Sequence, residues 1–314
     1  MSGKMNFPNG FNNPRITEQN IDRRDMLRAT GTAVLAASTF PLQWVAAGEK
    51  KKQKILYFSR SAGFEHDAVK IKNGKPSISD RILTELGERH GFEVVCTKDG
   101  RVFDGDLNQY DAIVFYTSGV LTEPNKAKTP PMTIKGKRRL LRTIARGKGF
   151  VGLHAATDSF HSEGPRDQNQ TEVDPYIAML GGEFIVHGAQ QEAIIRAASP
   201  KFPGVKQFGQ SQKLKEEWYT LKNFAKDLHV ILIEDNEGME GDCYQRPPFP
   251  ATWARMHRKG RVFYTSFGHR DDIWTNPDVQ GIIAGGLAWA MGNVEVDITP
   301  NIDQVTPKAS QLKY

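Results

Sequence analysis

The stretch Phe150–Phe160, FVGLHAATDSF, is an apolar run that gives way to polar, turn-forming residues at a histidine. It reads as a strand ending at His154. Upstream, KILYFS (Lys54–Ser59) is a first strand and SISDRILTELGERHG a helix, with Ser77 as N-cap and Gly91 as its stop. FEVVC, DAIVFYTSG and the helical IKGKRRLLRTIARGKG follow, so GFVGLH is the fourth strand. Strands alternating with helices predict an α/β fold with a doubly wound, mostly parallel sheet. Downstream of Thr171 the pattern changes to shorter β-like pieces (GEFIVH, EAIIRAA, LHVILIE, ATWARMH and RVFYTSFG), an extra β-rich C-terminal elaboration. VQGIIAGGLAWAMG closes the domain as a helix, which sets its limits at 54–292. The tail, 293–314, reads as extended.

In open α/β sheets ligands collect beyond the carboxyl ends of the strands. His66, His154, His187 and His269 all fall just past predicted strands. A single loop imidazole reads as a structural cap, but their shared topological position makes these four a group. His90, His229 and His257 read as structural, and His161 is undecided. If His66, His154 and His269 converge, a divalent ion such as zinc fits them at about 2.0–2.1 Å with one position open, and His187 is a fourth candidate ligand. No HExxH pattern fixes that geometry, so metal-free acid–base chemistry stands beside it. Either reading needs the three imidazoles within about 12 Å of one another.

Asp158, four residues after His154, is placed to fix its tautomer, to act on substrate, or to cap a helix. Glu217 precedes Trp218 and Tyr219 in KLKEEWYTL, a carboxylate beside two flat rings suited to the apolar face of a sugar. Trp253 and Trp274 are offered for the same task, and Ser118, past the third strand, as a further substrate contact. Trp274, in the polar loop RDDIWTNP, is the tryptophan least suited to a core, which predicts that its removal weakens ligand binding more than stability.

The amino terminus differs from the rest. DRRDMLRATGTAVLAASTFPLQWVAAG pairs Arg23 with Arg24 ahead of a weakly apolar run and small residues at Ala46 and Ala47. This is the pattern of a twin-arginine export signal (1–47), followed by a basic tether (48–53), and it predicts a periplasmic or otherwise exported protein that uses the twin-arginine machinery. The run is too short and broken to be a stable membrane span. The net charge of +6 over 314 residues is modest, and the basic cluster from Lys135 to Arg146 lacks interleaved aromatics. It reads as a solvated helix face, not a nucleic-acid groove. Two cysteines, Cys96 and Cys243, are compatible with a disulfide without requiring one, and Cys96 reads as a buried free thiol.

With these motifs in place, the chain resembles the ThuA-like (trehalose utilisation) family, whose fold is similar to that of class I glutamine amidotransferases. The resemblance rests on AGFEHD, GFVGLHAATDSF, YIAMLGGEFIVHG, EEWYTL, PATWARMHRKGRVFYTSFGHRDDIW and GGLAWAMG, over about Lys54 to Gly292. His66, His154, Glu217, Tyr219, Trp253, Gly268, His269 and Trp274 match motif positions. His187 is followed by Gly188 where the family usually has Pro, and a usual His-Pro pair is replaced by Ser199-Pro200. The resemblance implies sugar catabolism of trehalose-type disaccharides and their 3-keto forms.

Amidotransferase chemistry is excluded on the residues: the elbow needs a thiolate beside a base, and His154 stands there. The leading expectation is a carbohydrate-active isomerase, lyase or hydrolase using histidine and carboxylate acid–base chemistry, with or without a metal. The alternative is a non-catalytic carbohydrate-binding protein.

Overall fold

The alternation upstream of His154 builds the parallel half of a nine-stranded sheet. The computed structural model describes residues 52–313, so the leader and most of the tether lie outside the described residues. In chain order come β1 (Gln53–Phe58), α1 (Ile78–His90), β2 (Phe92–Thr97), β3 (Ala112–Phe115), α2 (Ile134–Ala145) and β4 (Gly149–Leu153). Then follow α3 (Pro175–Leu180), β5 (Glu183–His187), β6 (Gln191–Ala197), β7 (Ser211–Glu216), β8 (Tyr219–Lys222), β9 (His229–Asp235), β10 (Phe249–His257), β11 (Gly260–Thr265), α4 (Asp271–Thr275), α5 (Pro277–Ala290) and α6 (Ile302–Val305).

The sheet order is β2-β1-β3-β4-β11-β10-β9-β6-β7, and β5 pairs with β8 apart from it. Neighbours from β2 to β11 run parallel, and the remaining pairs are antiparallel. This is the expected α/β fold with its β-rich elaboration. The apolar strands β3 and β4 are buried throughout, as strands covered on both faces must be. Two glycines of β4 show the double winding. A Cβ on Gly149 would lie 2.3 Å from the Ala290 carbonyl oxygen of α5, and one on Gly152 would lie 3.0 Å from Leu180 of α3. Their odd spacing points them to opposite faces, so a helix covers each.

The local signals for α1 are realised. Ser77 and Asp80 form a reciprocal capping box, and Gly91 ends the helix at φ 78°. Two expectations are corrected. Cys96 is exposed, since β2 sits at the sheet edge, and both cysteines are free. The tail holds α6 and is tied down, with Asn301 Oδ1 accepting from the Val230 amide at 2.6 Å. No helix among the described residues is long and apolar enough to cross a membrane.

Candidate metal centre

Three strand ends and one β7–β8 connection deliver the site. His66 follows β1, His154 follows β4, His269 follows β11, and Glu217 lies between β7 and β8. The imidazole centroids are 5.0 Å (His66–His154), 5.3 Å (His66–His269) and 5.6 Å (His154–His269) apart, well inside the limit for a shared site.

Glu217 Oε2 lies 3.4 Å from His66 Nε2, 3.5 Å from His154 Nε2 and 3.0 Å from His269 Nδ1. One donor atom from each of the four residues falls within 4.8 Å of the others. Ligands bound at about 2.0–2.1 Å and 90–109° around one ion stand about 3.0–3.4 Å apart, a range that holds the separations of Glu217 from His269 and His66, with the 3.5 Å to His154 just above it. His154 Nε2, His269 Nδ1 and Glu217 Oε2 are buried with no hydrogen-bond partner despite this proximity. Their lone pairs converge on a common point instead of pairing with one another, and buried polar atoms left this way cost free energy unless something fills that point.

His154 is the best determined of the four. It has φ 42°, in the left-handed region that a β-substituted residue avoids. Two bonds hold it there: its Nδ1–H donates to the Ser266 carbonyl at 2.8 Å, and the Tyr264 hydroxyl donates to its own carbonyl at 2.8 Å. Because a carbonyl only accepts, Nδ1 carries the proton and Nε2 presents a bare lone pair to the cluster. Burial pushes the His154 imidazole down to about 4, so it is neutral at physiological pH. Burial also lowers His66. Burial works against the charges of Glu217 and His269 as well, but the imidazoles hold the Glu217 carboxyl far below its usual range, and Glu217 raises His269.

Glu216 supports this arrangement from behind. Its buried carboxylate accepts from the backbone amides of Gly268 (2.8 Å), His269 and Arg270 (3.3 Å), fixing the loop that carries His269. Burial pushes that carboxyl up to about 7. Gly268 sits at φ 136°, and its carbonyl accepts from Tyr116 Oη (3.0 Å) and Trp274 Nε1 (2.6 Å). Outside the cluster, His269 Nε2 meets the Gln190 amide at 2.8 Å, and Tyr219 Oη lies 3.0 Å from His66 Nε2.

Other predicted site residues fall elsewhere. Asp158 does not orient His154; it pairs with His161 Nε2 at 2.8 Å, because the short helical turn at His154–Asp158 carries it away from the imidazole. It stays close enough for its charge to raise His66. His187 donates to the Gly188 carbonyl and stands at the rim, 3.5 Å from Glu217 Oε1, outside the four-residue cluster. Trp218, Trp253 and Trp274 are fully buried and spend their indole N–H on the Gln191, Leu180 and Gly268 carbonyls, so none is a substrate platform. Ser118 is also buried, its hydroxyl tied to the Phe64 carbonyl at 2.6 Å. Sequence reasoning missed the support from Glu216 and Ser266 and the exposed ring of Phe64. Only the Glu216–Glu217 doublet gave a signal, since consecutive carboxylates at a strand end project to different sides.

The family model for ThuA, trehalose utilisation, matches residues 54–290. The chain belongs to the ThuA family. Among solved structures, ThuA-like proteins from Bacteroides uniformis and Parabacteroides merdae share this fold. The first is 17% identical with TM-score 0.57, covering 78% of this chain and 94% of that one. The second is 19% identical with TM-score 0.54, covering 80% and 95%. No curated protein matches the sequence. Membership of the ThuA family ties the chain to carbohydrate utilisation.

Proposed function

We propose that this ThuA-family protein is an exported, metal-dependent enzyme acting on a keto-sugar derivative of a trehalose-type disaccharide. The observation that carries the reading is the convergence of His66, His154, His269 and Glu217 at the carboxyl ends of the strands, with His154 Nε2, His269 Nδ1 and Glu217 Oε2 unpartnered. Burial favours the neutral forms of His154 and His66 and the imidazoles keep Glu217 ionised, which is the state that binds a divalent cation, while His269, raised by Glu217, gives up its proton on binding. When bound, such an ion supplies Lewis-acid polarisation of a carbonyl oxygen, which acidifies the neighbouring C–H.

The chain's own groups do the rest. Tyr219, its hydroxyl pushed well above 10 by burial, stays protonated and offers a hydrogen bond beside His66. Asp158, held by His161 at the edge of the site, is the carboxylate placed to take a proton without being a ligand. With the tryptophans buried, Phe64 offers the aromatic face for a sugar: it is 66% exposed and its ring centroid lies 5.0 Å from that of His66. A groove of ≈ 690 Å³ reaches His269, and Asp67, Asn73, Lys75, Gln190 and Arg270 in its walls supply donors and acceptors for hydroxyl groups.

The test is turnover of a 3-keto-disaccharide and its unoxidised parent, with and without a chelator, in isotopically labelled water. Conversion of the keto form alone, lost on chelation and restored by a divalent ion, supports the reading. Binding without conversion would replace it with a carbohydrate-binding protein, and conversion of both forms with label uptake would point to plain hydrolysis.

A further inference from the structure

At the other end of the sheet, where β3, β4 and β11 begin, lies a cavity of ≈ 1080 Å³ with Arg139, Arg142, Arg146, Lys148, Lys259 and Arg261 in its wall. The cluster from Lys135 to Arg146 is thus not a plain solvated face, because three of its arginines turn into a concavity. Arg139 is occupied by the Asp104 and Gly105 carbonyls, Lys148 by the Asn108 carbonyl at 3.0 Å, and Arg261 by Glu295. Arg142, Arg146 and Lys259 make no side-chain hydrogen bond or ion pair among the described residues.

The acidic residues of the same wall make no ion pair with them. Asp104 accepts from the Thr133 hydroxyl, Asp106 from the Asn108 amide and Asp111 from the Lys54 amide. Helix C-termini attract cations, and α2 and α5 both end here, but each contributes roughly half a negative charge. Six cations against these three carboxylates, the Glu295 that pairs with Arg261 and two such ends leave a surplus of about one positive charge. Lys259 lies in the β10–β11 turn, on neither helix, and its amide bonds to the Ala145 carbonyl, which brings it to the end of α2. The chain also enters the domain at this rim: Gln53 Nε2 donates to the Met291 carbonyl, and Lys50, Lys51 and Lys52 precede it in sequence.

From this geometry we infer that the cavity binds a phosphate-bearing anion, held by the forks of Arg142 and Arg146 with Lys259 opposite. Guanidinium forks match phosphate oxygens in pairs, and a cavity far wider than one phosphate leaves room for the group that carries it. The phosphate belongs either to a soluble ester or anhydride or to a lipid headgroup.

Two arms separate these sources, using the full chain at low salt: calorimetric titration with pyrophosphate, and co-sedimentation with phosphatidylglycerol-containing vesicles against pure phosphatidylcholine vesicles. Saturable binding in either arm, weakened about tenfold or more in R142A/R146A/K259A and falling with added salt, is the expected result. Pyrophosphate binding identifies a soluble ligand, and binding to anionic vesicles alone identifies a headgroup. Should the triple variant unfold, the single charge reversal K259E must give the loss. No binding in either arm, or binding unchanged in the variants, overturns the inference.

Discussion

His154 stands where a nucleophile elbow would be, and its backbone is held in a strained conformation by bonds from two other residues. Strain held in this way marks a residue whose direction matters. Alanine keeps the Cβ penalty at this φ but not the imidazole, so H154A should stay folded while losing its ion and turnover; folded protein with wild-type turnover would reduce His154 to a structural cap. Glu216 acts through His269, so E216Q should lower metal affinity by about 10–100-fold, measured by competition with a chromogenic chelator, while the fold persists. Trp274 reverses its sequence-based expectation. Being fully buried, stacked on Tyr116 and bonded to Gly268, it should cost about 3–5 kcal/mol on W274A, seen as a large drop in Tm. The histidines were legible because strand ends can be read from apolar runs. The tryptophan was not, because the polar neighbours Asp271 and Asp272 are exposed while the helical turn aims Trp274 inward.

At the scale of elements, the regular strands and α1 were legible from periodicity and caps, whereas β7 was not. Its sequence, SQKLKE, is an edge strand with one apolar residue, and only its pairing with β6 makes it a strand. β5 begins at a buried carboxylate that joins several loops: Glu183 accepts from the Ser162 amide and hydroxyl and from Asn223, and lies 3.3 Å from His161. Burial opposes its charge, but these partners win and bring its carboxyl down to about 2. A folded pKa below the unfolded one gives stability that is present above about 4.5 and lost as pH falls toward 2. The gap from the ordinary value corresponds to roughly 3 kcal/mol at neutral pH. E183Q should thus be less stable than the wild type at pH 7, with the difference shrinking below about pH 4.5 in denaturant titrations. A constant difference across that range would remove the charge from the explanation.

On the scale of the whole molecule, one sheet separates two charged ends, a cluster of imidazoles and a carboxylate beyond the strands' carboxyl ends and a basic cavity at their amino ends. Family motifs made the first legible, because they sit in contiguous loops. The second was hidden, since Arg142, Arg146 and Lys259 meet only after β10 and β11 turn back beside α2. If residues 1–47 direct export, R23K/R24K should leave unprocessed precursor inside the cell, and normal processing of that double variant would withdraw the proposed location. The measurement that bears most directly on the account is elemental analysis of the full chain, purified without chelator or added metal, beside H154A and E217A. The account predicts about one divalent transition-metal ion per wild-type chain and a marked loss in both variants. A wild-type protein that turns over a keto-disaccharide while holding no ion, or variants that keep a full equivalent, would contradict it.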